Sequence, residues 1–316
     1  MEEKQINLFK LSQLSKTSDI DIYLTKLVKD ILDIQLKKKK NKNKYLLISS
    51  VGNNSIHKQC KWNHENKNYD ILFVYYQDFI KKESDYYLRM RGKKLSQYYY
   101  IFQHNIINYY DYIFILDNDN YIKGSDINEL FILADKLKCN IMGPSIRIRD
   151  IAHKKVLKLL NYYDKMDIKD RNFWFLKKKL PQKLLDIYNH VMKYCYWPHM
   201  IQRYNIEKKY IKKVNLVEDG RSIINTELIK KFSKDKKFMK LFESGIMFDQ
   251  TLANLCKFKK IYIVDYIFYI HLDPYKDKIN ENNERKIIEK YIKKHYKYFI
   301  NIWPDTIVEK KFIYKK

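Results

Sequence analysis

Apolar positions along this chain follow two rhythms. Over residues 1–36, Leu24, Leu27, Ile31 and Ile34 recur at three- and four-residue spacing, which predicts an amphipathic helix. From residue 45 onward, short apolar runs alternate with more polar stretches. The runs at 45–50, 70–77, 112–116, 140–142, 214–217 and 261–270 predict strands, and residues 85–108, 127–136 and 226–232 predict helices. The run at 112–116 is apolar on both faces, as a strand buried inside a parallel or mixed sheet must be. Strands and helices alternating through short turns imply a doubly wound α/β fold.

The flanks differ from this pattern. Residues 37–44, KKKKNKNK, are a solvated hinge, so 1–43 forms an N-terminal helical extension. Residues 44–279 hold the α/β domain. Within it, 151–213 is helical, aromatic and basic without strand alternation, and is expected to be an insertion. Residues 280–316 are expected to form a lysine-rich helical tail.

Composition changes the picture in two ways. At 46% hydrophobic and 16% aromatic residues, 316 residues suffice to bury a substantial core. A net charge of +26 invites a nucleic-acid reading. However, only eight of the 63 basic residues are arginine, and Lys, Asn, Ile and Tyr abound while Gly and Pro number 6 and 5. These are the products of A/T-rich codons, as in a large DNA virus or an intracellular parasite, so no specific nucleic-acid partner is expected. The charge still attracts nucleotide diphosphates, acidic glycans and anionic surfaces. The cysteines at 60, 139, 195 and 256 are scattered, which argues against a zinc site or a disulfide framework. With no signal peptide and no transmembrane run, the expected location is cytoplasmic, the host cytoplasm if the source is viral.

Candidate chemistry centres on Asp117-Asn118-Asp119, directly after the apolar run. Open α/β sheets bind ligands at the carboxyl ends of their strands. Two carboxylates one residue apart raise each other's pKa unless a cation neutralises them. A hard divalent ion with oxygen ligands does so, and can bridge to a diphosphate on its open side. An Asx-rich turn would use the same residues without metal. Gly52, in the turn 51–55, is placed to touch a nucleotide base, although no dinucleotide or P-loop glycine fingerprint occurs. Asp78 follows the second strand. Arg89, Arg91, Lys93 and Lys94 surround Gly92 and supply either cations for a diphosphate or a solvated helix face.

Asp117-Asn118-Asp119 after a buried strand resembles the DxD motif of GT-A-type glycosyltransferases. Gly245-Ile246-Met247-Phe248-Asp249 resembles their downstream Gly-x-x-x-[DE] element, and His271 before Pro274 resembles a late histidine that completes the metal site. The likeness covers roughly residues 44–275, by pattern. It implies a GT-A-like, Rossmann-like mixed sheet flanked by helices. It implies Mn²⁺ (or Mg²⁺) on Asp117, Asp119 and His271, and donor contacts from Gly52, Asp78, Arg91, Lys94 and Asn118. Asp249 becomes the general base, although it lacks the adjacent Glu of the common pattern. The activity implied is hexosyltransferase-like, from a nucleotide diphosphate sugar to a hydroxyl on a glycan or protein. Asp249 also suits a helix N-terminus, His271 a strand end, and Glu218 and Asp219 either a turn or an acceptor contact. Two other functions compete. A nucleotidyltransferase also uses paired carboxylates, but would want a third on a neighbouring strand and a Gly-Ser phosphate loop. A non-catalytic lysine-rich nucleic-acid binder would be salt-sensitive and indifferent to Asp117→Ala.

Overall fold

A computed structural model of the chain describes residues 6–7, 17–39, 43–77, 83–146, 180–186, 210–234, 245, 247–271, 287, 290 and 307–313. In chain order these form β1 (Ile6–Asn7), α1 (Thr17–Lys38), β2 (Tyr45–Val51), β3 (Asp70–Tyr75) and β4 (Tyr86–Arg91). Next come α2 (Lys94–Phe102), a 3₁₀ turn (Asn105–Tyr109), β5 (Tyr112–Leu116), β6 (Asn120–Tyr121), α3 (Gly124–Lys136) and β7 (Ile141–Ile146). The remainder are β8 (Tyr210–Val214), β9 (Arg221–Asn225), α4 (Thr226–Ser233), α5 (Phe248–Leu255), β10 (Ile261–His271) and β11 (Ile307–Ile313).

The strands lie in the order β1-β4-β3-β2-β5-β9-β7-β10-β8-β11, and β6 pairs with β10 off this path. From β1 to β5 every neighbour is parallel. β9 runs antiparallel to both β5 and β7. β7 and β10 are parallel, and β8 is antiparallel to β10 and β11. This is a mixed sheet flanked by helices, as the sequence implies.

Side-chain alternation along the strands builds two cores, one on each face. In β5, Ile113 and Ile115 join the layer under α1, α2, α4 and α5. Tyr112, Phe114 and Leu116 join the layer under α3, where Phe131 meets the Phe114 ring edge-on at 6.0 Å. A strand covered on both sides has no polar face, which is why this stretch reads as a continuous apolar run. Parallel register also brings strand ends together. Ile48 of β2 lies opposite Ile115 of β5, and Val51 lies opposite Tyr75 of β3. Gly52, Tyr76 and Asp117 therefore leave the sheet at one edge.

Several sequence expectations are corrected. Residues 85–108 are not one helix. Tyr86, Leu88 and Met90 are buried in alternation with half-buried Tyr87, Arg89 and Arg91, a period of two, so β4 precedes α2. The Arg-x-Arg pair thus sits on a strand, not on a helix face. In place of a strand over 214–217, β8 ends at Val214 and β9 begins at Arg221, with the turn Glu218-Asp219-Gly220 between them. β8 also places Tyr210–Val214 in the sheet, inside the span expected to be inserted helix. The rest of 151–213, apart from 180–186, lies outside the described residues, as do Trp174 and Trp197. Ile307–Ile313, expected as helical tail, pairs with β8 as a strand. In α1 the inward residues are Leu24, Val28, Leu32 and Leu36, while Ile34 is 55% exposed. Spacing by four selects that face, and Ile34 falls off it.

Candidate active site

The site forms where β5 ends and β9 begins. Leu116, the last residue of β5, lies opposite Arg221, the first of β9. Beyond it the Asp117 N–H donates to the Gly220 carbonyl at 2.8 Å, and Asn120 Nδ2 donates to the same carbonyl at 2.8 Å. The Asp-Asn-Asp turn is thereby clamped to the turn that enters β9. Gly220 has φ +75°, and a Cβ there would run into the Asp117 carboxylate. Only glycine meets both conditions without strain.

Lys94 opens α2 and joins the two turns. Its Nζ lies 3.0 Å from Asp117 Oδ1 and 3.0 Å from Asp219 Oδ2. Burial alone would lower the Lys94 ammonium, but the carboxylates of Asp117 and Asp219 outweigh it and hold it well above the usual lysine value. Asp219 moves up from the usual carboxylate range because burial outweighs the help it receives from Lys94, and the Asp117 charge adds to the rise. Gly245, at φ +96°, presses its backbone against this pair. A Cβ there would lie 2.7 Å from Asp219 Oδ2.

Asp249 approaches from the same side. Met247 caps α5 in the left-handed region (φ 61°), an uncommon conformation for a non-glycine residue. Asp249 follows in the first turn and accepts a 2.7 Å hydrogen bond from the Gln250 N–H. Burial and the nearby Asp219 carboxylate push its carboxyl up to about 8. Behind these groups Arg221, 1% exposed, pairs with Glu218 at 3.1 Å and lies 4.8 Å from the centre of the Tyr269 ring. The charges of Glu218, Asp117 and Asp119 all reach the Tyr269 hydroxyl. Among the described residues, Asp117, Asp119, Glu218, Asp219 and Asp249 thus set five carboxyl groups against the cations Lys94 and Arg221.

Beside this cluster lies a cleft of about 400 Å³, lined by Ser50, Tyr76, Arg91, Lys94, Asp117 and Asn118 among others. Asn118, the middle residue of the motif, ties the cleft wall together. Its Nδ2 donates to Ser55 Oγ at 2.7 Å and to the Tyr76 hydroxyl at 3.2 Å. The Tyr76 ring packs over Gly52, and Arg91 Nε donates to the Tyr76 carbonyl at 3.1 Å. Two cations, Arg91 and Lys94, and the Asp117 carboxylate on one cleft suit an anionic ligand that brings its own positive ion.

The structure brings together Asp117, Asn118, Arg91 and Lys94 on the cleft, with Gly52 behind Tyr76 and Asp249 across from Lys94 and Asp219. The His271 backbone pairs opposite Asn120, one residue from Asp119; its side chain is outside the described residues, and so is Asp78. Asp219, Gly220 and Tyr76 matter more than sequence reasoning allowed. The acidic pair on a glycine turn, Glu218-Asp219-Gly220, was the available signal for the first two.

The donor set also bears on metal. Among the described residues, no three His, Cys, Asp or Glu side chains converge to hold an ion. Asp117 and Asp219 nevertheless already hold a cation, the Lys94 ammonium, between hard carboxylate oxygens. Such a set fits a Mg²⁺-like ion bound by one or two carboxylates and completed by substrate phosphates, rather than a cage made wholly of protein. Asp117 would hold it, with Asp219 from this set or Asp119 from the same turn.

No protein-family model and no curated protein sequence matches the chain. Among solved structures, S. aureus TarS 1–349 matches at 9% identity and TM-score 0.39, over 81% of this chain and 72% of that one. TarS 1–349 in complex with UDP-GlcNAc matches at 8% identity and TM-score 0.37, over 81% and 73%. A further TarS structure matches at 9% identity and TM-score 0.41, and there the chain spans 44% of that protein. Similarity at this level bears on neither substrate nor chemistry. Among the described residues, no helix is long and apolar enough to cross a membrane.

Proposed function

We propose that the chain is a metal-dependent glycosyltransferase that moves a sugar from a nucleotide diphosphate sugar to an acceptor hydroxyl on a glycan or protein. One observation carries this: at the end of β5 the Asp117 carboxylate lines a cleft together with Arg91 and Lys94, and further carboxyl groups gather beside Asp117 and Lys94. A diphosphate with a divalent ion complements carboxylate and cations at once. A bound Mn²⁺ or Mg²⁺ supplies Lewis-acid stabilisation of the charge that develops on the departing diphosphate. Asp117 and Asp119 would hold and orient that ion, while Lys94 and Arg91 add positive charge where the leaving group gains negative charge. Asn118 fixes the turn against Tyr76, which keeps the cleft wall in place for the nucleoside. Asp249 takes the proton from the acceptor hydroxyl. A base is most effective with a pKa near the working pH, and a carboxyl raised to about 8 lies there.

The test is a thermal-shift panel of UDP, GDP, ADP and their sugars, with and without Mn²⁺. Stabilisation confined to one base and dependent on Mn²⁺ is expected. No Mn²⁺-dependent shift with any of them would remove the proposal.

A further inference from the structure

We infer that Lys94 is an exchangeable cation: it holds Asp117 and Asp219 in the ligand-free protein and moves to the diphosphate when metal arrives. The inference rests on the transferase reading above and adds an order of events to it. Lys94 Nζ is shared equally, 3.0 Å from each carboxylate, on a side chain 22% exposed that also lines the cleft. Its flexible four-carbon stem starts at the first residue of α2, so the head can swing without moving the helix.

One of its present partners, Asp117, has a proposed use that excludes it. A divalent ion on Asp117 would compete with the ammonium for the same oxygens, and the two cations would repel at contact range. The cleft then offers a new anionic partner, the diphosphate, on the side Lys94 already faces. Before ligand, therefore, Lys94 opposes metal; with nucleotide present, it cooperates with metal. The Gly245 backbone packs against Asp219 and Lys94, so the exchange also reaches the segment that leads to Asp249. Such a device keeps the metal site weak until the nucleotide comes with it. By linkage, the metal must then strengthen nucleotide binding by the same factor by which nucleotide strengthens metal binding.

The experiment separates the two roles. Mn²⁺ alone is titrated by EPR into the wild-type protein and Lys94→Gln, Lys94→Arg and Arg91→Gln; UDP and GDP are then titrated at fixed Mn²⁺ by calorimetry. Lys94→Gln should bind Mn²⁺ alone more tightly, by roughly fivefold or more, the lower end of ordinary coupling between sites. The same variant should bind the preferred nucleotide more weakly in Mn²⁺, by about tenfold for a lost charge-assisted bond. Lys94→Arg, whose planar fork grips carboxylates through two bonds, should weaken Mn²⁺ binding and tests the idea even if Lys94→Gln fails to fold. Arg91→Gln should lose nucleotide affinity with Mn²⁺ affinity unchanged. Unchanged or weaker Mn²⁺ binding in Lys94→Gln overturns the exchange, as does an equal gain in Arg91→Gln, which would mean bulk charge alone. Absence of nucleotide binding to the wild-type protein at any Mn²⁺ level is the separate failure of the transferase reading. If nucleotide binds and only the Lys94 variants disappoint, the exchange alone falls.

Discussion

Two lysines in this fold each bridge a pair of aspartates, at opposite edges of the same sheet. At the amino edge, Lys39 Nζ lies 2.8 Å from Asp70 Oδ1 and 2.5 Å from Asp85 Oδ1. Lys67 adds a 2.6 Å contact to Asp85. The Tyr110 hydroxyl donates to Asp70 at 2.8 Å, Asn43 Nδ2 donates to it at 2.7 Å, and the Ile71 N–H donates to Asp85 at 2.9 Å. Two cations meet two carboxylates there, and further donors satisfy the remaining oxygens. At the carboxyl edge Lys94 makes the same kind of bridge, but more carboxyl groups gather than cations, and a cleft adjoins. Asp85 and Asp219 are similarly exposed, at 20% and 25%, yet they shift in opposite directions. Burial pushes both up. For Asp85 the hydrogen bonds from Lys39 and Lys67 win and hold it below the usual range; for Asp219 they do not. Balanced and closed, the motif is a stitch that ties the end of α1 to β3 and β4. Left in surplus beside a cleft, it is the motif we propose for binding.

The largest effect expected from that surplus is on turnover. Asp249→Asn keeps shape and hydrogen bonding but removes basicity, so transfer should slow by roughly 10²–10⁴-fold with donor affinity nearly unchanged. In the wild-type protein the carboxyl must lose its proton to act. Log(kcat/KM) should therefore climb with pH and level off near the value of about 8 to which Asp249 is raised. The variant should lack that limb. Initial rates between pH 5 and 9 read both, and transfer within a few-fold of wild type would leave Asp249 as a helix cap.

Next in size is the closed edge. Asp70 is 0% exposed and bonded to Lys39, Asn43 and Tyr110. Asp70→Ala takes from Lys39, Asn43 and Tyr110 a charged acceptor closed to water, although Lys39 keeps Asp85 and the Tyr110 hydroxyl keeps Tyr86, so the loss should be about 1.5–3 kcal/mol. Urea denaturation measures it. A loss below about 1 kcal/mol would mean that this network is not a stitch at all.

Much of this comparison was legible in the sequence at one edge and hidden at the other. Asp117-Asn118-Asp119 announced itself because a run apolar on both faces ends in carboxylates. Asp219 did not, since a turn aspartate before a strand has the same local appearance whether or not a lysine 125 positions earlier reaches it. The amino-edge network was equally invisible: Asp70 and Asp85 look like ordinary strand-flanking acids until the parallel pairing of β3 with β4 sets them side by side. β4 itself was misread because a tyrosine-rich alternation next to basic residues suits a helix face as well as a strand. Periodicity found the elements that fill both cores; pairing partners far apart in the chain are a tertiary fact.

The smallest expected effect is the one that separates the edges most sharply. Asp117 is 31% exposed and shares Lys94 with Asp219. Asp117→Ala therefore leaves no cation stranded, since Lys94 keeps Asp219, and it relieves repulsion within the acidic cluster. Exposed ion pairs contribute about 0–1 kcal/mol, so the unfolding free energy should change by less than about 1 kcal/mol, in either direction. Salt sharpens the test. Screening weakens repulsion among half-exposed carboxylates, so any gain of the variant over wild type should shrink as ionic strength rises. The Asp70→Ala loss, set in a site closed to water, should persist. The same Asp117→Ala protein should no longer show Mn²⁺-dependent stabilisation by a nucleoside diphosphate. A variant that unfolds like Asp70→Ala would make the carboxyl edge a second stitch, and the contrast between the two lysines would vanish.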